Sequence, residues 1–294
     1  MIDRSVPPAG VVVGVDGDAA TLRAAAWAAR EADGRGLPLD LVQVLPPSHR
    51  PTDELRAPSG RALGLLEQAR RVAVGEAPGV SVRLSVVDGS VGEALAAVAR
   101  RAHLLVLGSR GFDSVVDVTL GRTLVHAMTH AACPVVVVPP RRDPCERHTG
   151  AIVVGVDGSP ESHGAVAFAT DVADRWHARI TAVHVATRRV DADHDDQRRV
   201  LAEALAGLAD RHPGVRMREA FPHGAAGEEI LGEARHGAAL IVLGSRGRGS
   251  LVGPLVGSTS QTVVRSACCP VAVLSSAAAQ RWTSPDRAWA EEGV

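Results

Sequence analysis

Gly244, Gly247 and Gly257 are spaced by two and then nine residues, and Ser258 follows directly. The preceding run, Ala239-Leu240-Ile241-Val242-Leu243, is apolar, of strand length, and stops at the first glycine. A strand, a glycine-rich loop and a helix start together aim backbone N–H groups at an anion. Glycine suits such a loop because a Cβ would keep the backbone from closing on phosphate oxygens. Ser258 and Thr259 stand where a helix N-cap is expected, with hydroxyls for the same anion. Ser245, Arg246, Arg248 and Gly249 complete the loop, and the guanidinium groups suit phosphate oxygens. An earlier copy carries Gly108, Arg110, Gly111 and Gly121 at the same spacing, then Arg122 and Thr123.

Several function classes are disfavoured by composition. All 32 basic side chains are Arg, so the Lys that a Walker-type phosphate loop places beside the β- and γ-phosphates is missing. A formal net charge of −1 gives no electrostatic footprint for nucleic acid. Aromatic residues are 2% of the chain and Tyr is absent, which argues against base-stacking platforms. The segment MIDRSVPPAG has no hydrophobic signal core and no apolar run approaches spanning length, so a cytoplasmic protein without membrane contact is expected. Cys133, Cys145, Cys268 and Cys269 lack metal-ligand spacing and read as reduced, packed thiols. His184, His223 and His236 stand at neither catalytic nor metal spacing and read as packed or solvated.

The chain repeats itself at domain length. VVVGVDG at 11–17 returns as IVVGVDG at 152–158, LVLGSRG at 105–111 as IVLGSRG at 241–247, and CPVVV at 133–137 as CPVAV at 269–273. The polar connection at 139–149 marks a boundary, giving domains at 1–143 and 150–276 and a flexible tail at 277–294. In the first half, strands are expected at 11–15, 37–44, 80–86, 104–107 and 135–138. Helices are expected at 19–33, 53–75, 91–101 and 122–132. Second-half strands fall at 152–156, 180–185, 215–220, 240–243 and 271–274. Buried strands alternating with helices imply α/β domains, each a doubly wound parallel sheet of five strands. Ligands on such sheets bind beyond the carboxyl ends of the strands.

The loop spacing, with the VDG strand ends and the CPV strands, resembles the ATP-binding type of the universal stress protein family over nearly the whole chain. The resemblance implies Rossmann-like domains of strand order 3-2-1-4-5 and ATP as ligand, with Mg²⁺ as an optional companion. It implies that Asp157, between Gly155 and Gly158, serves the nucleoside, with Asp16, Gly14 and Gly17 as counterparts. Val185 and Val44 match the position whose backbone meets adenine. The last strands, 135–138 and 271–274, match those that join domains, so a homodimer through them is expected. No nucleophile is paired with a base, and the expected function is nucleotide sensing in a stress response, with slow turnover or none. A slow ATPase or phosphotransferase and a nucleotide-free dimerisation module are the alternatives.

The two sites are expected to be unequal. Arg122 replaces the Ser or Thr after the third glycine, and Asp113 and Asp117 stand where the second half has Gly249 and Gly253. Each carboxylate near a triphosphate costs about 1 kcal/mol if partly solvated, and Arg122 offsets part of this. Calorimetric titration of each half with ATP should show weaker binding by the first; equal affinities would mean that Arg122 compensates.

Overall fold

The computed structural model describes residues 10–45, 60–109, 121–140, 150–186, 194–247 and 256–284. The chain divides into two compact units, with the division between Pro140 and Arg141. The first unit opens with β1 (Val11–Gly14) and α1 (Ala19–Gly34), then β2 (Leu39–Leu45) and α2 (Gly60–Glu76). It continues through β3 (Val82–Asp88), α3 (Val91–Ala99), β4 (Leu104–Gly108), α4 (Arg122–His130) and β5 (Val135–Val138). Its strands are parallel in the order β3-β2-β1-β4-β5. Val11, Val12, Val13, Leu104, Leu105 and Val106 are all buried, as strands covered on both faces require.

The second unit repeats the plan. It comprises β6 (Ala151–Gly155), α5 (Pro160–Trp176), β7 (Arg179–Val183), α6 (His194–Leu205), α7 (Leu208–Arg211) and β8 (Met217–Ala220). Then come α8 (Ala226–Ala234), β9 (Ala238–Gly244), α9 (Ser258–Ser266), β10 (Val271–Leu274) and α10 (Ser276–Thr283). The parallel order is β8-β7-β6-β9-β10. Numbered from each unit's own first strand, both sheets run 3-2-1-4-5, as expected. β8 starts at Met217 rather than 215, because the Val215 N–H turns back to the His212 carbonyl at 3.0 Å.

The first helix of each unit is built to lie close to its sheet. On α1, Ala20, Ala24, Ala25, Ala28, Ala29 and Ala32 are buried, and small side chains let the helix axis approach. α5 buries Ala165, Ala169 and Ala173 in the same way, with Val166, Phe168 and Val172 filling the remaining space. Asp18 caps α1 by accepting the Ala20 N–H at 3.1 Å, and Ser159 caps α5 by accepting the Ser162 N–H at 3.2 Å.

Two expectations need correction. The presumed tail begins instead with α10, which docks on α5. Ser275 caps it by accepting the Ala278 N–H at 3.1 Å, and the Phe168 and Trp282 rings meet edge to face at 5.0 Å. A Cβ on Gly164 would come within 2.5 Å of the Ala279 Cα, so glycine there sets the helix spacing. The apolar faces of both helices decide this docking, and 285–294 lie outside the described residues. The second correction is that Cys268 is disulfide-bonded, while Cys145 lies outside the described residues. Cys133 and Cys269 are buried thiols, as expected. After α9 the chain turns so that Cys269 enters the core at 1% exposure while Cys268 stays half-buried.

Trp282→Ala should cost about 3 kcal/mol, because it empties a packed aromatic site, and should lower the urea midpoint. Burial pushes the Cys269 thiol up from 9.0 to about 12. The stability carried by the neutral thiol is intact below its unfolded value and declines as pH rises from there through about 12. Cys269 should therefore resist iodoacetamide at pH 8 in the native protein and react once unfolded.

Candidate functional site

In the second unit the site residues gather at the carboxyl ends of β6 and β9. β6 stops at Gly155, Val156 is buried, and Asp157 and Gly158 make the turn into α5. Gly158 has φ of 77°, a left-handed conformation that favours glycine, and Gly17 repeats it at 87°. Asp157 Oδ1 accepts both the Ser159 N–H at 3.0 Å and the Ser159 hydroxyl at 2.6 Å. That oxygen is committed to the turn, while Oδ2 faces the glycine loop. A Cβ on Gly247 would lie 2.4 Å from Asp157 Oδ2, so loop and carboxylate meet only because residue 247 is glycine.

The loop itself is tied at its base. Ser245, buried, donates its N–H to the Leu274 carbonyl at 2.7 Å and accepts the Gly257 N–H at 2.7 Å. Ser260 Oγ donates to the Gly244 carbonyl at 2.7 Å, and Gln261 Nε2 donates to the Val256 carbonyl at 2.7 Å. These bonds fasten the first turn of α9 to both ends of the loop. Gly257, not Ser258 or Thr259, is the N-cap of α9, and it makes no side-chain cap bond. The reason is backbone geometry: φ of −60° and ψ of 150° at Gly257 are extended, and helical values begin at Ser258. The first-turn N–H groups of Ser258 and Thr259 thus have no cap from this residue. Ser258 is exposed and Thr259 half-buried. Arg246 is half-buried, and its Nε is enclosed with no hydrogen-bond partner.

Val185 lies just past β7, half-buried, beside the strand end where the Val156 N–H reaches the Val183 carbonyl at 2.9 Å. His184, read from the sequence as packed or solvated, is half-buried and donates from Nδ1 to the Val156 carbonyl at 2.7 Å, next to Asp157. Glu161 is a residue that the sequence reading missed. It sits in the first turn of α5, its Cβ 2.7 Å from where a Gly244 Cβ would be, and its carboxylate accepts the Ser276 hydroxyl of α10. Only its place two residues beyond the Ser159 cap could have flagged it. His223 forms an isolated bridge with Ala186, and His236 bonds the Glu233 carbonyl.

The first unit offers the matching frame. Gly14 ends β1, and Asp16 Oδ1 accepts the Asp18 N–H at 3.1 Å and the Thr21 hydroxyl. Gly17 abuts Leu65 of α2, and Val44 lies within β2. Gly108 ends β4, and α4 begins at an uncapped Gly121, with Arg122 exposed and Thr123 half-buried. Arg110, Gly111, Arg248 and Gly249 lie outside the described residues, as do Asp113, Asp117 and Gly253. Among the described residues no group of three or more His, Cys, Asp or Glu is placed to hold a metal ion. Among them, too, no helix is long and apolar enough to cross a membrane.

Comparison with known proteins matches this arrangement twice over. The profile of the universal stress protein family fits residues 10–139 and again 149–275. A universal stress protein of Mycolicibacterium smegmatis is 32% identical over 290 residues, covering 92% of this chain and 98% of that protein. One from Mycobacterium tuberculosis is 32% identical over 305 residues, covering 90% and 94%. Among solved structures, a universal stress protein from Archaeoglobus fulgidus superposes with a TM-score of 0.70 at 20% identity, covering 91% and 98%. A putative one from Pseudomonas aeruginosa gives 0.61 at 18% identity, covering 93% and 95%. With its two glycine-bounded sheets and tandem matches, the chain belongs to the universal stress protein family.

Proposed function

We propose that the chain binds ATP and acts as a cytoplasmic nucleotide-sensing regulator, with the second unit as its stronger site. The approach of Gly247 to Asp157 carries this reading, because it joins a strand-end carboxylate to a glycine loop that ends on an uncapped helix. The residues present fit the nucleotide. Asp157 would serve the nucleoside through a ribose hydroxyl or adenine amino group, and the backbone at Val185 would meet the base. Gly244, Ser245, Gly247 and Gly257, with the N–H groups and hydroxyls of Ser258 and Thr259, would hold the phosphates. The enclosed Nε of Arg246 has a donor to give, which an anion would satisfy. Gly155 and Gly158 serve the turn that presents Asp157. Arg248 and Gly249 belong to the same proposal, and Mg²⁺ would accompany the phosphates. In the first unit Gly14, Asp16, Gly17, Val44, Gly108, Arg110, Gly111, Gly121, Arg122 and Thr123 take the corresponding parts. Self-association through β5 and β10 is the proposed route to a homodimer, open to test by sedimentation.

Gly247→Val should abolish ATP binding at the second site, since the side chain would occupy the space of the Asp157 carboxylate. Calorimetry on a protein whose first loop is also disabled tests this; undiminished binding by a folded variant would reject the assignment. Turnover should be slow. Asp157 Oδ1 holds the Ser159 turn, and this carboxylate would serve the nucleoside rather than the terminal phosphate, where a general base would have to act. Steady-state hydrolysis near the enzyme median of about 10 per second would overturn the sensing role.

A further inference from the structure

We propose, resting on the nucleotide reading of this sheet edge, that His184 is a positioning residue for the base. Its imidazole takes the carbonyl that the Val185 N–H would otherwise bond, and so keeps that N–H open to a ligand. β6 and β7 pair in parallel up to Gly155 opposite Val183. One step further on, the Val156 N–H still reaches the Val183 carbonyl at 2.9 Å. In a regular parallel ladder the carbonyl of that same residue would accept the next N–H on this side of β7, that of Val185. His184 Nδ1 lies 2.7 Å from the Val156 carbonyl instead. A carbonyl only accepts, so Nδ1 carries the proton and donates it. Among the described residues the Val185 N–H has no hydrogen-bond partner.

Val185 is nonetheless held in place by its neighbours. The His184 N–H donates to the Ala220 carbonyl at 3.0 Å, and the Ala186 N–H donates to the Pro222 carbonyl at 3.1 Å. The Ala186 carbonyl in turn accepts the Gly224 N–H at 3.2 Å. These alternate residues bond on the β8 side, so the backbone groups of Val185 between them turn to the β6 side. There the chain has already left the sheet for the turn at Asp157 and Gly158. A half-buried N–H costs free energy unless it is paired, and a ring nitrogen of adenine beside Asp157 would pair it. A donor fixed before the ligand arrives leaves less freedom to lose on binding.

The first unit makes the same strand-end bond with a different side chain beside it. Its Val15 N–H reaches the Val42 carbonyl at 2.7 Å, as Val156 reaches Val183. Gly14 pairs with Val42 as Gly155 pairs with Val183, so Gln43 stands where the second unit has His184. Glutamine carries an amide donor, and leucine has bulk without one. Those two residues therefore separate the hydrogen bond from the space that the ring fills.

The test follows the Val185 amide by NMR in the full chain labelled with ¹⁵N-valine. In the unaltered protein it should exchange with solvent faster than the Val183 amide. ATP at about ten times its dissociation constant should slow that exchange about tenfold. In His184→Leu the Val185 N–H should close on the released carbonyl and be protected without ATP. Affinity for ATP, taken by calorimetry with the first loop disabled, should then fall by up to about tenfold. The loss for tripolyphosphate, which has no base, should be smaller, and His184→Gln should restore most of the ATP affinity. Slow exchange of Val185 in the unliganded chain would overturn the proposal. So would ATP that binds the second site and leaves that exchange unchanged; both results come from the unaltered protein and stand even if a variant fails to fold. Equal losses for ATP and tripolyphosphate, with no rescue by glutamine, would overturn it as well. A second site that binds no ATP at all would instead reject the nucleotide reading, and the role of His184 with it.

Discussion

At the carboxyl edge of each sheet, the end of the fourth strand presses on the first turn of the first helix with no space for a side chain. A Cβ on Gly108 would fall 2.6 Å from the Ala20 carbonyl carbon and 2.7 Å from the Thr21 nitrogen. A Cβ on Gly244 would fall 2.7 Å from the Glu161 Cβ and 3.1 Å from its carbonyl carbon. Backbone atoms cannot rotate away as a flexible side chain can, so any larger residue would have to displace the helix. That helix carries the buried alanine face and begins at the Asp-Gly turn. Its seating therefore sets where Asp16 and Asp157 stand relative to the loops that leave the same glycines.

From this shared frame the two units diverge in the side chains that surround it. In the first, Glu31 and Arg35 pair at 2.5 Å with side chains almost wholly buried, and Arg35 also meets His103 Nε2 at 2.6 Å. The corresponding positions on α5 are Val172 and Trp176. Asp40, fully buried, is held by Arg83 through two bonds of 2.6 and 2.7 Å across β2 and β3. At that register the second unit pairs Thr181 with Arg218. Buried ion pairs and apolar packing can be nearly equal in stability, while removal of one ionic partner is costly. Each solution is thus locked in once made, and the fold tolerates both.

The second unit also gains α10, and with it a link between helix packing and the site. Trp282 and Ala279 anchor α10 on Phe168 and Gly164, and its first residue reaches Glu161 beside Gly244. In the first unit Arg23 takes the place of Gly164 and donates instead to the Pro139 carbonyl at 3.2 Å. A glycine there makes room for a docked helix, and an arginine does not.

The sequence by itself determined the strands, most helices, the duplication and the candidate site's glycines. Those features are local: apolar runs such as 11–15 and 241–243 have one reading at strand length, and repeated motifs certify each other. The tertiary structure decided what depends on groups far apart in the chain. Spacing could not show that Asp157 spends Oδ1 on Ser159 and turns Oδ2 to Gly247. Nor could it show that Gly257 takes the cap position expected of Ser258, since a cap is defined by backbone angles and not by residue type. The docking of α10 was hidden because its partner face belongs to α5, early in the same unit. Whether Cys268 would be half of a disulfide was equally closed to the sequence, because pairing follows from which thiols the fold brings within bonding distance.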